Sequence, residues 1–531
     1  MRKFFVVGVL VMAIMALSFS LALAQADQAV VDEVLDRTES IRELTASAEI
    51  PVRLMTREEL GQYFQEEFYD DWPEEELKTF EELLVLFGWM EEGLDIRQIL
   101  LDMYSEAILG FYDTEEEELV LISDDGEMNA FDRANLAHEL THYLQDQNFD
   151  LERPPFHEPD DVEEETDDDA SLAAMSLVEG DAVITENSYI EEFEGEDYWI
   201  DMFEESTDMD IDFLNEVPTY IIDGLYFPYE EGLDFVTYLY KEGGYEAVDE
   251  AYANPPTTSE QILHPQKYID GEGASDVELA DISSELGSGW ILDYDNVLGE
   301  FDVYELFLPY LSGNATEKAS EGWGGNNYHY YKNDTGEKLL VQSYAWDSKE
   351  DAEEFVSGYA MYVQERFEGE LEEDDPIGVW ITWSTDDYRI GLKLDGNETY
   401  VVQDTADVPF EAALSELGED GDVIDERILN LLVDTDEETD LSVAIISLVI
   451  GLLVLGLVLI VVMFVLYRRP PTPPSQLPGG PYGYGGGPGP GAVPWTGGQA
   501  PPPPPSQPPP QSPSAVPPPG GAPPQSPTIS E

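Results

Sequence analysis

Apolar residues recur at helical spacing through most of the first half of the chain. In "QAVVDEVLDRTESIRELT", residues 28–45, Val31, Val34, Leu35, Ile41 and Leu44 show helical spacing, which predicts an amphipathic helix. Thr56 followed by Glu59 is a capping-box pair opening a helix expected to reach Phe68, and another is expected from Glu74 to Met90. The period then shortens: "AILGFYD" and "ELVLIS" read as two strands joined by the acidic turn "TEEEE". Helical spacing returns in "FDRANLAHELTHYLQDQNF", where Leu136, Leu140 and Leu144 share one face, then in "DASLAAMSLVEGDAVITENSYI" and across residues 198–253. The acidic, Pro-bearing stretch 150–168 reads as a loop.

Past about residue 275 the pattern changes. "EKLLVQSYAW", "IGVWITW", "DYRIGLKL" and "TYVVQD" alternate as strands do, and "SKEDAEEFVSGYAMYVQERF" is a helix between the first two. This predicts a mostly helical domain with a small sheet over residues 25–274, then a separate α/β segment over 275–433, an α+β chain taken as a whole.

The two ends carry longer apolar runs. "MRKFFVVGVLVMAIMALSFSLALAQADQ" has Arg2 and Lys3, an apolar stretch and then Ala22-Leu23-Ala24, which predicts a secretory signal over 1–24, with an uncleaved anchor as the alternative. Leu441 to Tyr467 is uncharged and long enough to cross about 30 Å of hydrocarbon, so it is expected to be a transmembrane helix. Acids fill the linker 434–440 before it, and Arg468 and Arg469 follow it. The positive-inside rule therefore expects a single-pass, type I membrane protein with the bulk of the chain outside the cell. Residues 468–531 are Pro, Gly, Ser and Gln, expected to be a disordered cytoplasmic tail, either a tether or a ligand for a proline-binding partner. Three glycosylation acceptors, Asn314, Asn333 and Asn397, lie on the expected outer side.

Charge changes the picture of the solvent more than of the fold. The chain has 115 acidic and 22 basic side chains, formally -93. Such self-repulsion opposes compaction in dilute buffer and is largely screened at molar salt, where the Debye length is about 3 Å. The acids are dispersed among aromatic and aliphatic residues, which reads as a folded, heavily solvated surface adapted to salt; an acidic face for a cationic partner is the alternative. A nucleic-acid partner is excluded by the lack of any basic stripe. Cysteine is absent, so any metal must sit on His, Asp or Glu.

That restriction directs attention to "AHELTH". Residues i and i+4 of a helix share a face, so His138 and His142 can aim their rings at one point, with Glu139 beside them as a general base. With only five histidines, a chance HExxH is expected roughly 0.006 times in this chain. A hydrolytic zinc site needs a third protein ligand and an open position. The extended HxxGxxH form fails, because Gln145 and Asn148 stand at its last two positions, and His157 lies in a loop. Glu179, in the apolar stretch "MSLVEGDAV", is costly to bury without a cation and is the favoured third ligand, with Glu186 and Glu260 as alternatives. His264, before Pro265, is a candidate oxyanion donor or a structural histidine, and Tyr268 is a further candidate.

"AHELTH", Asp146 and a glutamate on a later helix resemble the gluzincin branch of zinc metallopeptidases. The resemblance implies Zn2+ on His138, His142 and Glu179, water activation by Glu139, and Asp146 supporting the ligands. Two departures stand out: the interval to Glu179 is long, and Val183 replaces an expected aspartate, with Asp181 as the nearby acid able to compensate. "ILGFYD", "AHELTHYLQDQNFDL", "VEGDA", "FPYEEGLDFV", "PPTTSEQILHPQKY" and "EGWGGNNYHYY" also resemble, over Ala107 to Phe355, a group of HExxH surface proteins of salt-loving archaea. By that resemblance the "AILGFYD" strand edges a cleft and pairs with an extended peptide. The expected function is a surface-anchored zinc metallopeptidase acting on extracellular or envelope proteins. The alternative is a non-catalytic surface or envelope protein that keeps the zinc fold. The distance of the motif from residues 441–467 excludes intramembrane proteolysis.

Overall fold

The computed structural model describes residues 28–433, except 49, 64–72, 108–109, 115–117, 123–127, 158–166, 207–216, 375, 406–409 and 419. Helix α1 spans Gln28–Arg42 and is followed by strand β1, Val52–Met55. The capping box at Thr56 is made in full: Glu59 accepts from the Thr56 backbone at 2.8 Å, and Glu59 N donates to Thr56 Oγ1 at 3.3 Å. Helices α2 (Glu74–Phe87) and α3 (Ile96–Ala107) lead into strands β2 (Gly110–Asp113) and β3 (Glu118–Ile122). These strands form a three-stranded sheet of order β1-β3-β2, with β1 parallel and β2 antiparallel to β3.

Four helices then build the body of this region: α4 (Ala130–Phe149), α5 (Asp168–Tyr189), α6 (Glu196–Ser206) and α7 (Thr219–Gly243), followed by α8 (Tyr245–Ala253). Helix α4 starts at a reciprocal cap in which Asp132 N donates to Asn129 and Asn129 N donates to Asp132, both at 2.9 Å. Leu136, Leu140 and Tyr143 on its apolar side pack against Tyr112, Leu119 and Leu121 of the sheet and Val31 and Val34 of α1. The opposite side of α4 therefore turns toward α5.

The later region is a seven-stranded sheet of order β4-β5-β6-β10-β9-β8-β7, antiparallel at every pairing. Its strands are β4 (Trp290–Asn296), β5 (Trp323–Asn333), β6 (Lys338–Trp346), β7 (Glu372–Glu373), β8 (Ile381–Ser384), β9 (Arg389–Asp395) and β10 (Glu398–Asp404). Helix α9, Lys349–Arg366, packs on one face. The largest core runs through both regions, joining Phe87 of α2, Leu177 of α5 and Phe235 of α7 to Tyr344 of β6 and Phe355 of α9. Arg366 fastens them further: its guanidinium donates to Val85 O and Leu86 O at 2.7 Å each, satisfying the last carbonyls of α2.

The structure departs from the expected fold and location in three respects. The segment read as α/β is an antiparallel sheet, because short hairpins such as Gly396-Asn397 join neighbouring strands and α9, between β6 and β7, covers a face instead of linking parallel neighbours. Strands β4 and β5 went unread, since "WGGNNYHYYKN" carries polar and aromatic residues where apolar alternation was sought. The transmembrane helix in the expected fold, and the single-pass membrane location resting on it, are not supported. No helix among the described residues is long and apolar enough to cross a membrane. The two longest, α5 and α7, carry several acids each and bury their apolar sides in protein. The expected signal 1–24, linker 434–440, span 441–467 and tail 468–531 lie outside the described residues.

Candidate metal centre

One turn apart on α4, His138 and His142 turn their Nε2 atoms to the same point, 3.2 Å from each other. Glu179 of α5 closes the group, its Oε2 lying 3.2 Å from His138 Nε2 and 3.4 Å from His142 Nε2. All three residues are buried, between 7 and 8 % exposed. Tetrahedral zinc with bonds of about 2.0–2.1 Å sets its ligand atoms about 3.3 Å apart. The three separations match that edge length, so the donor set fits the ion in chemistry and in size.

Helix packing decides why Glu179 arrives here. At Gly180 an added Cβ would lie 2.1 Å from Gly232 O, and at Gly232 one would lie 2.2 Å from Ser176 O. Helices α5 and α7 thus touch backbone to backbone, a contact only glycine permits. The same approach brings Tyr229 of α7 over His138, ring centroids 6.0 Å apart and planes 17° from parallel.

Each imidazole is also held from behind. His138 Nδ1 faces Glu186 Oε2 at 3.3 Å. His142 Nδ1 meets Gln145 Oε1 at 2.9 Å, and Gln145 Nε2 donates to Val178 O and to Asp181 Oδ2, both at 3.0 Å. Asp181 lies one layer further out, receiving Tyr252 OH at 2.9 Å and sitting 2.6 Å from Arg42 Nε. Asp146 accepts from Tyr112 OH at 3.0 Å and from Leu151 N at 3.1 Å, tying α4 to the sheet and the following turn.

The electrostatics follow from carboxylates and rings gathered out of water. Burial pulls the His138 and His142 pKa values down, but Glu179, with Glu186 at His138, outweighs it and holds both raised. Burial pushes Glu179 up, and the two imidazoles more than reverse that, leaving it well below the usual carboxylate range. Glu139 goes the other way: burial raises it, the imidazoles oppose, and Glu179 and Glu186 add to the rise. Tyr229 is raised by burial and by the carboxylates of Glu179 and Glu139.

The remaining sequence candidates lie on other elements. His264 Nε2 meets Glu300 Oε1 at 3.0 Å, and that hydrogen bond raises its pKa against the effect of burial. Tyr268 OH donates to Asn254 O at 2.9 Å. Glu260 groups with Glu272 and Asp347, but Lys267 Nζ stands among them at 2.7, 2.6 and 2.6 Å. His157 Nε2 lies 3.9 Å from Glu152 in its loop. Of the glycosylation candidates, Asn314 is exposed at the start of a helix, Asn333 is engaged within the β5–β6 hairpin, and Asn397 Nδ2 donates to Trp346 O at 2.7 Å.

Sequence reasoning did not assign Tyr229, Gln145 or Arg42 to the centre. In the sequence Gln145 stands out only as the residue at the glycine position of HxxGxxH. Arg42 had one available signal, a scarce cation on the helix spacing of α1.

Residues 291–416 match the family described as a domain of unknown function, DUF8575. That stretch contains the antiparallel sheet and none of the residues of the His–His–Glu group. No curated protein and no solved structure matches the chain.

Proposed function

We propose that the chain is a zinc-dependent peptide hydrolase with its metal on His138, His142 and Glu179. The observation that carries the reading is the trio of 3.2, 3.2 and 3.4 Å separations between two imidazole nitrogens and a carboxylate oxygen on one buried face. Bound there, zinc supplies Lewis acidity, lowering the pKa of water and polarising a carbonyl.

The chain's own residues do the rest. Glu139 follows a ligand on α4 and is half-buried beside the group; its raised carboxylate suits it to take a proton from water on Oε and deliver it to the leaving amine. Gly110 of β2 lies next to it: a Cβ there would come within 3.6 Å of Glu139 Cγ. Strand β2 is an edge of its sheet, so an extended peptide pairing with it would pass Glu139. Tyr229, 43 % exposed, lies over the His138 ring with its hydroxyl bonded to the Glu179 carboxylate, and on this reading it is the donor to a developing oxyanion.

The test is zinc content after dialysis, together with hydrolysis of an unstructured protein in molar salt with and without a chelator. One zinc per chain and chelator-sensitive cleavage are expected. A chain without zinc defeats the metal centre, and a zinc-bound chain without cleavage defeats the hydrolase and leaves a zinc-binding protein.

A further inference from the structure

Behind His142 runs an unbroken line of buried polar groups. Arg42, Asp181 and Gln145 are each 0 % exposed. Arg42 comes from α1, the first described helix, and touches neither imidazole. Its guanidinium lies 2.6 Å from Asp181 Oδ1, donates to Asp249 Oδ1 at 2.6 Å, and covers the Tyr245 ring at 4.5 Å.

We propose that the relay Arg42–Asp181–Gln145–His142 fixes the tautomer of His142, putting its proton on Nδ1 and its lone pair on Nε2. The idea rests on the metal-centre reading for its purpose, but not for its logic, which is donor and acceptor bookkeeping. As the anion of an ion pair with Arg42, Asp181 offers only lone pairs. The carbonyl of Val178 likewise only accepts. Both face the same end of the Gln145 amide at 3.0 Å, so that end must be NH2 and the other must be Oε1. Oε1 lies 2.9 Å from His142 Nδ1, which must then donate. A neutral imidazole with its proton on Nδ1 carries its lone pair on Nε2, the atom turned to His138 and Glu179. Rotating the amide by half a turn would set Oε1 against two acceptors, with Gln145 and Asp181 both 0 % exposed. Gln145 and Arg42 are thus positioning residues, acting through His142.

The experiment uses the full chain in molar salt with its histidines 15N-labelled. Without metal, at a pH well above the midpoint of each imidazole titration, the ring shifts of His142 should report the proton on Nδ1. Competition titration with zinc alone should show about a 10- to 100-fold loss of affinity in Q145L. R42Q should weaken zinc in the same direction by a smaller factor, and D249N should leave it unchanged. A wild-type His142 protonated on Nε2, or a folded Q145L that binds zinc like the wild type, overturns the relay. Should Q145L fail to fold, the wild-type tautomer decides the matter. A chain with the Nδ1 proton that binds no zinc keeps the relay and defeats the metal centre, so the two failures are distinguishable.

Discussion

Among the described residues, two polar clusters each gather three metal-capable side chains, and they differ in what neutralises them. Around Glu260, Glu272 and Asp347 the chain supplies its own cation, Lys267, with its ammonium within 2.6–2.7 Å of all three. Around His138, His142 and Glu179 no lysine or arginine among the described residues stands so close; the carboxylate faces the two imidazoles, and Arg42 is spent on Asp181 and Asp249. Burial penalises the whole of the second group but only Glu260 of the first. The first is closed by a side chain; on the proposed reading, the second is closed by an ion from outside. A count of nearby carboxylates does not separate them, whereas accounting for the cation does.

The largest effect that would sharpen this contrast is in catalysis. Glu139→Gln should keep zinc and lose about 10²- to 10⁴-fold in hydrolysis rate, measured by release of peptides in molar salt; unchanged turnover would break the assigned role. Next is the ion itself. Zinc at a hundred times its Kd should stabilise the wild type by about 2.7 kcal/mol in urea unfolding, and His142→Ala should abolish that increment. Zinc should have no such effect through the Lys267 cluster, so a residual increment in His142→Ala would mean the wrong group was chosen.

Gly180→Ala should destabilise by about 3 kcal/mol, because a methyl 2.1 Å from Gly232 O forces α5 and α7 apart. Zinc affinity should fall with it, since Glu179 and Tyr229 ride on those helices. Lys267→Met should cost about 1–2 kcal/mol, below the value for a fully buried pair because Glu272 and Asp347 face solvent, and should leave zinc affinity alone.

The smallest effect is a slope. Burial raises Asp302 to about 7, against its hydrogen bonds from Gly299 N and Tyr220 OH. The folded state then holds a proton that the unfolded chain releases near pH 3.9, so stability declines as pH rises from about 4 to about 7 and levels off above. Asp302→Asn should make the decline shallower in urea titrations across that window; a steeper decline would reverse the sign assigned to this carboxyl.

Legibility varied by residue rather than by region. The spacing of His138 and His142 and the apolar row Leu136 and Leu140 were readable because one helix turn sets both. The capping box at Thr56 was readable for the same reason. The antiparallel order of the later sheet was not, because pairing depends on which strands meet, and "NNYHYY" hides its strand among buried tyrosines. The membrane-spanning element of the expected fold finds no counterpart among the described helices.

By itself the sequence determined everything that a single helix turn or a short cap can dictate: two imidazoles and a glutamate on one side of α4, leucines on the other, and no thiol to compete for a metal. Only the tertiary structure decided which distant acid meets those rings, that Glu186 and Gln145 back them, that Tyr229 overlies them, and that Lys267 closes the rival cluster. The reason is physical. Periodicity is enforced by bonds within a few residues, whereas the meeting of α4, α5 and α7 depends on a glycine-to-glycine helix contact between residues 180 and 232, which no local pattern encodes.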